Sequence, residues 1–172
     1  MASENLIKFI KQWEGVRTKP YLDAGGVPTI GVGFTTYENG KKVTMKDPPM
    51  TMEQIDRLLN KKLDEFSSQV EMIMGNTLKT ILPRNAIDAI VALSYNIGTS
   101  AFSKSTVLKK LKANKLDFDG IEKAWMMWVK CNGKTLQGLV NRRRAEFSMY
   151  KKSVLDQYTK VECYQIGKSG KI

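Results

Sequence analysis

Two carboxylates and a threonine near the N-terminus have the types and spacing for acid–base chemistry. Glu14 follows Trp13, Asp23 lies in an Asp-Ala-Gly-Gly turn, and Thr29 comes six residues later. Hydrolysis of a glycosidic bond needs one carboxyl group that donates a proton and a second, ionised one that activates water. A threonine hydroxyl can help to hold that water. The alternative is structural, since an Asp before two glycines often serves only to cap a turn.

The surrounding elements would give the two acids different environments. Apolar residues recur at the spacing of one helical face, which predicts a helix over residues 4–14 with Ser3 as its N-cap. Glu14 would then end this helix, where the negative end of the dipole and the apolar Trp13 both favour a protonated acid. Asp23 would lie in a Gly-rich loop, where water and backbone N–H groups favour the carboxylate.

The rest of the chain predicts a mainly helical protein. Residues 27–44 are β-rich and contain an Asn-Gly turn, which indicates an antiparallel hairpin. Helices are predicted from Thr51 to about residue 74, over a central core segment from Pro83 to Gly98, and over 103–115, 117–130 and 136–152. We therefore expect an α+β fold in one domain, residues 1–152. Its small β lobe would span about 15–50, its helical lobe 51–152 plus the first helix, and residues 153–172 would form a partly ordered tail.

Composition narrows the chemistry further. The 172-residue chain has a net charge of +11, no histidine and two distant cysteines, Cys131 and Cys163. The absence of histidine excludes Ser–His and Cys–His hydrolases and disfavours catalytic zinc. Carboxylates must therefore carry most of any chemistry, and we expect no metal, no cofactor and plain thiols. No apolar run is long enough to cross a membrane, and the first residues lack a signal-peptide pattern, which predicts a cytoplasmic location before release.

Three segments carry a family resemblance. Glu14, Asp23 and Thr29, followed by Ile-Gly-Val-Gly-Phe-Thr, resemble the Glu–Asp–Thr signature of the phage-type lysozymes, glycoside hydrolase family 24. The segment from Ala86 to Leu111 is similar to the family's central helix and the stretch after it. The segment from Gly138 to Tyr150 is similar to its closing helix. The segments occur in family order, and the resemblance covers roughly residues 4–152.

The resemblance implies a muramidase with a lysozyme-like fold. Its substrate would be the β-1,4 bond between N-acetylmuramic acid and N-acetylglucosamine in bacterial peptidoglycan. Glu14 would be the general acid, with Asp23 and Thr29 positioning the attacking water in an inverting reaction. A basic residue of the last helix would support Glu14, with Arg142 the first choice and Arg143 the next. We expect a monomer that waits in the host cytoplasm until a holin opens the inner membrane and then acts in the periplasm.

Further residues would contact the glycan. Tyr95 and Asn96 end the predicted core helix, where Asn96 either hydrogen-bonds the glycan or caps the helix. Phe34 and Tyr21 either flank the sugar sites or belong to the core of the small lobe. The family that this chain resembles has a histidine in many members at the position where this chain has Phe34. Any structural or pH-dependent role of that histidine is therefore absent from this chain.

Alternative functions differ in class. The Asn-Arg-Arg-Arg segment and the basic charge are also typical of a nucleic-acid-binding protein, although no recognition motif accompanies them. A lytic transglycosylase would cut the same bond with one glutamate and form a 1,6-anhydro product. A catalytically silent wall-binding protein is the third alternative, and the presence of Glu14, Asp23 and Thr29 argues against it.

Overall fold

The computed structural model describes residues 2–168 and the side chains of residues 2–160. Its first element is helix α1 (Glu4–Glu14). The Ser3 hydroxyl accepts a hydrogen bond from the Leu6 N–H at 3.1 Å, which confirms the predicted N-cap. Leu6 and Ile10 form its buried face. The helix ends at Glu14 because Gly15 adopts a φ of 73°, a conformation that favours glycine.

An antiparallel hairpin follows α1. Strands β1 (Arg17–Leu22) and β2 (Pro28–Gly31) pair with Tyr21 opposite Thr29, and the register is irregular between Arg17 and Tyr21. Beyond β2, residues 36 and 42 form an isolated bridge around the predicted Asn-Gly turn. The predicted small antiparallel sheet is confirmed.

Helix α2 (Met52–Met74) follows the hairpin. It begins with a reciprocal cap, in which the Thr51 N–H donates to Gln54 Oε1 and the Gln54 N–H donates to Thr51 Oγ1. The chain divides into two compact units. We call residues 1–67 the N-terminal unit and residues 68–172 the C-terminal unit. The core of the N-terminal unit consists of apolar side chains from α1, the hairpin and α2, among them Leu6, Ile10, Ile30, Val32, Phe34, Val43, Ile55, Leu59 and Leu63.

The C-terminal unit is helical. Its elements are α3 (Asn76–Ile81), α4 (Arg84–Ile97), α5 (Thr99–Ser103), α6 (Thr106–Ala113), α7 (Phe118–Trp125), β3 (Lys130–Cys131), β4 (Lys134–Thr135) and α8 (Gln137–Lys168). Helix α4 is buried continuously over residues 86–94 and packs mainly against α8, which confirms the predicted core helix. Trp125 is fully buried against Phe147 and Tyr150, so this tryptophan serves the core.

Several elements differ from the sequence predictions. The hairpin pairs residues 17–22 with 28–31 instead of lying within 27–44, and the sequence analysis does not predict α3. Helix α7 ends at Trp125 instead of near residue 130, and a short β3–β4 turn at Asn132 and Gly133 follows it. Helix α8 does not stop at residue 152 but continues to Lys168, so the described part of the predicted tail is helical. The continuation has a physical basis, since residues 139–166 contain no glycine or proline and Val154 is buried.

The described residues contain no helix that is both long enough and apolar enough to span a membrane. Cys131 is a free thiol, whereas the side chain of Cys163 lies outside the described side chains.

Candidate active site

The carboxylate of Glu14 lies against the backbone of Gly33. Glu14 is the last residue of α1 and is half-buried. Gly33, just after β2, has a φ of 70°, and a β-carbon built there would lie 3.2 Å from Glu14 Oε2. The absence of a side chain at residue 33 therefore lets the hairpin approach the acid closely.

Asp23 is fixed by the turn that it begins. Its Oδ1 atom accepts hydrogen bonds from the N–H groups of Gly25 at 2.8 Å and Val27 at 2.9 Å. Its own N–H donates to the Val27 carbonyl at 3.0 Å. Among the described residues, no hydrogen bond uses the other carboxylate oxygen, Oδ2. The turn thus holds one oxygen of the half-buried carboxylate and leaves the second available.

Thr29 forms a hydrogen bond with the same Val27 carbonyl that accepts from the Asp23 N–H. Its hydroxyl donates to the Val27 carbonyl at 2.8 Å, and the residue is only 2% exposed. Because the hydroxyl proton is used in this bond, Oγ1 can only accept a hydrogen bond from a further partner. The Val27 carbonyl therefore fixes both Asp23 and Thr29, at distances set by the backbone.

Tyr21 belongs to the same group of residues. The Cζ atom of Arg17 lies 4.4 Å from the centroid of its ring, within the range of a cation–π contact. Burial raises the pKa of Tyr21, and Arg17 acts against this shift. The negative charges of Glu14 and Asp23 raise the same pKa further, so both carboxylates act on this phenol.

Phe34 packs in the core and does not face solvent. It is 2% exposed, and its ring lies so close to Gly31 that a β-carbon there would be 2.5 Å from Cδ2. Lys62 Nζ lies 5.7 Å from the centroid of the Phe34 ring and donates to Thr36 Oγ1 at 3.1 Å. Burial lowers the pKa of Lys62. Of the two roles considered for Phe34, its burial favours packing in the core of the small lobe over contact with a sugar.

The C-terminal unit contains a buried ionic network around Glu146. This carboxylate accepts hydrogen bonds from Arg142 Nε at 3.0 Å, Arg143 Nη2 at 2.8 Å and Trp125 Nε1 at 2.9 Å. All four residues are at most 4% exposed. Burial raises the pKa of the Glu146 carboxyl, and the two guanidinium groups and the indole N–H oppose that shift.

The same network links α8 to α4, the helix that carries Tyr95 and Asn96. Arg142 Nη2 donates to the Ala92 carbonyl at 3.4 Å, one helical turn before Asn96. Tyr95 is half-buried and Asn96 is exposed. The helix is capped by Gly98, whose N–H donates to the Ser94 carbonyl, so the alternative role of Asn96 as a C-cap is not supported.

The predicted site residues thus fall into two sets. Glu14, Asp23, Thr29 and Phe34 lie in the N-terminal unit, and Tyr95, Asn96, Arg142 and Arg143 lie in the C-terminal unit. Sequence analysis did not identify Glu146 as a functional candidate. Its position three and four residues after two arginines of one helix was the available signal, because this spacing brings side chains together.

The arrangement in the N-terminal unit has the parts for hydrolysis. It provides a carboxyl group at a helix end, a second carboxylate fixed through one oxygen, and a hydroxyl oxygen that can accept from water. Asp23 and Thr29, which supply the two acceptor oxygens, both donate a hydrogen bond to the Val27 carbonyl.

Comparison with known proteins identifies the family. A family profile described as "Phage lysozyme" matches residues 11–146. The endolysin of Acyrthosiphon pisum secondary endosymbiont phage 1 is 36% identical over 152 residues, covering 86% of this chain and 96% of the relative. The endolysin of Salmonella phage P22 is 36% identical over 148 residues, with the same coverage. The solved structure of the endolysin from Escherichia coli O157:H7 phage FAHEc1 has a TM-score of 0.75 at 32% identity and covers 87% of this chain and 92% of that one. This chain belongs to the phage lysozyme family.

Proposed function

We propose that Glu14 is the general acid of this muramidase and that Asp23 and Thr29 position the attacking water. The enzyme is a lysozyme, a glycoside hydrolase that cleaves the β-1,4 bond between N-acetylmuramic acid and N-acetylglucosamine and lyses the wall of the phage host. The observation that carries the residue assignment is the Val27 carbonyl, which accepts from both the Asp23 N–H and the Thr29 hydroxyl.

The direction of the hydrogen bonds supports a specific role for the water. Asp23 Oδ2 and Thr29 Oγ1 are both acceptors, so a water between them donates both of its hydrogens. Its lone pair is then free to attack the anomeric carbon. Glu14 donates its proton to the departing glycosidic oxygen. Attack by water on the face opposite the leaving group inverts the configuration at the anomeric carbon.

Residues of the C-terminal unit are proposed to support this reaction. Arg142 is the first choice for supporting the general acid, and Arg143 is the next. The Glu146 carboxylate binds both guanidinium groups, so the network supports a positioning role for either arginine. Asn96 and Tyr95 are proposed as glycan-binding residues, and the exposure of Asn96 is consistent with this role.

The cellular route is also a proposal. The enzyme would be a monomer, held in the host cytoplasm until a holin opens the inner membrane. Expression in the host with and without a co-expressed holin tests this route by the timing of lysis. Lysis at the same time in both cultures would contradict it.

Substitution of the acid tests the mechanism. Glu14→Gln should lower the rate of sacculus hydrolysis by about 10²- to 10⁴-fold, the usual contribution of general acid catalysis. The matched control is Glu4→Gln, in the first turn of the same helix, which should retain full activity. Near-normal activity of Glu14→Gln, with the fold unchanged by circular dichroism, would contradict the assignment.

The products separate hydrolysis from transglycosylation. Mass spectrometry of the released muropeptides should show products that have gained water, with a free reducing end. Products in the 1,6-anhydro form would instead support the lytic transglycosylase. Glu14→Gln would remove either activity, so this measurement is needed beside the substitution.

A further inference from the structure

The hydroxyl group of Tyr21 makes no hydrogen bond, as donor or acceptor, to any described residue. It lies on β1, two residues before Asp23 and directly opposite Thr29 on β2. Residues at alternate positions and at paired positions of a hairpin share a face. Tyr21 and Thr29 therefore lie on one face, Asp23 begins the turn just after β1, and the half-buried phenol makes no hydrogen bond to its described neighbours.

The phenol supplies a kind of hydrogen bond that its neighbours lack. An ionised Asp23 can only accept, and the proton of Thr29 is used on the Val27 carbonyl. Burial and the charges of Glu14 and Asp23 raise the pKa of Tyr21, so its hydroxyl keeps its proton at neutral pH. Tyr21 is thus a neutral donor beside two acceptors.

Arg17 holds this donor in place. Its guanidinium carbon lies 4.4 Å from the centroid of the Tyr21 ring. A stacked guanidinium restricts the rotation of the ring. The position of the hydroxyl is therefore set before a ligand arrives, and little rotamer entropy is lost when it binds.

The chemistry of an N-acetylated glycan matches this face. Sugar hydroxyl groups can donate to Asp23 and Thr29, whereas the acetamido carbonyl can only accept and needs a donor. We infer that Tyr21 is a substrate-contacting residue whose hydroxyl donates a hydrogen bond to the acetamido carbonyl of the sugar bound beside Asp23. This inference rests on the proposed function, because it takes the N-acetylated glycan of peptidoglycan as the substrate.

Kinetics of Tyr21→Phe on purified sacculi test the contact. The substitution keeps the ring and its stacking partner and removes only the hydroxyl. We expect KM to rise about 3- to 10-fold, the effect of one lost neutral hydrogen bond, with kcat changed less than about twofold. The matched control is Tyr37→Phe, which removes another phenol of the N-terminal unit whose hydroxyl is bound to Asp47. Tyr37→Phe should leave both constants unchanged.

Chemically N-deacetylated sacculi identify the group that Tyr21 binds. If the phenol donates to the acetamido carbonyl, deacetylation should weaken binding to the parent enzyme, and Tyr21→Phe should then have no additional effect. This double cycle subtracts the other consequences of deacetylation. An equal rise in KM on acetylated and deacetylated sacculi would overturn the assignment to the acetamido group.

Other results would overturn the inference and leave the proposed function intact. If Tyr21→Phe leaves KM unchanged while Glu14→Gln is inactive, the phenol does not contact the substrate. If kcat falls and KM is constant, the hydroxyl acts on the water or the proton instead of the sugar. Full activity of Glu14→Gln would mark failure of the proposed mechanism itself. Circular dichroism and thermal unfolding of each variant show that the fold is retained.

Discussion

Gly33 lies beside the carboxylate of Glu14, and the β-carbon of any other residue there would push against the acid. A β-carbon would be 3.2 Å from Oε2, closer than ordinary van der Waals contact. The carboxylate at the end of α1 and the loop after β2 are therefore mutually constrained.

Gly33→Ala should damage activity more than stability. Alanine at a φ of 70° costs about 1–2 kcal/mol of unfolding free energy, and the added methyl group displaces Glu14 Oε2. Misplacement of a reacting group lowers the rate by up to about 100-fold. Gly40→Ala is the control, since Gly40 has a φ of 80° but no atom within 4 Å of a built β-carbon. Urea unfolding should give similar losses for both variants, whereas sacculus hydrolysis should fall only for Gly33→Ala.

Thr29→Val should lower activity, and Thr29→Ser should largely preserve it. Valine keeps the shape of the buried side chain but removes the hydroxyl that donates to Val27 and accepts from the proposed water. The loss of this acceptor should reduce kcat by about 10- to 100-fold. The unfolding free energy should fall by only about 1 kcal/mol, because the Val27 carbonyl keeps its bond from the Asp23 N–H. Equal activities of the valine and serine variants would contradict the role of the hydroxyl.

Glu146→Gln should destabilise the C-terminal unit strongly. The neutral side chain leaves Arg142 and Arg143 without their shared buried carboxylate. Removing one member of a buried ionic network typically costs about 3–5 kcal/mol of unfolding free energy. The exposed Glu122 provides the control, and Glu122→Gln should change the free energy of urea unfolding by less than about 0.5 kcal/mol. A loss below about 1 kcal/mol in Glu146→Gln would show that the network contributes little.

Ionisation of Tyr37 should lower the free energy of unfolding at alkaline pH. Burial and the hydrogen bond to Asp47 raise the pKa of Tyr37 to about 12 in the folded protein. Because the folded pKa is raised, the stabilisation is complete below the unfolded pKa of about 10 and is lost as pH rises from there to about 12. The difference in unfolding free energy between the parent and Tyr37→Phe should therefore shrink over this interval. Tyr158→Phe, at an exposed position, should show no comparable trend.

The sequence predicted those elements whose caps and turns depend on residues close together in the chain. The first helix, its Ser3 cap and the cap at Thr51 were all predicted, because each depends on residues close in sequence. A small antiparallel sheet was also predicted, but its hairpin was placed at residues 27–44 and lies at 17–31. The continuation of α8 beyond residue 152 was missed, since its last turns have little apolar periodicity and only Val154 indicated burial. The end of α7 at Trp125 was also missed, because the following residues remain apolar.

The candidate site was predictable by residue type but not in its supporting contacts. Glu14, Asp23 and Thr29 were singled out by spacing and by family resemblance, and their catalytic roles remain predictions. The burial of Phe34 depends on its contact with Gly31 and Lys62, which no sequence pattern specifies. The network of Glu146 joins residues from α4, α7 and α8, so it becomes visible only when these helices pack.

The backbone of Val27 has a consequence for mutational scanning. Its carbonyl and N–H hold Asp23 and Thr29, while its side chain is 44% exposed. Most substitutions at this position keep the backbone N–H and carbonyl, so a scan of single variants would score the position as tolerant. Proline is the informative exception, because it removes the N–H that donates to Asp23 Oδ1. If every substitution except proline is accepted at this position, the backbone of residue 27, and not its side chain, forms part of the active site. Selection on side chains would then leave this part of the site unchanged.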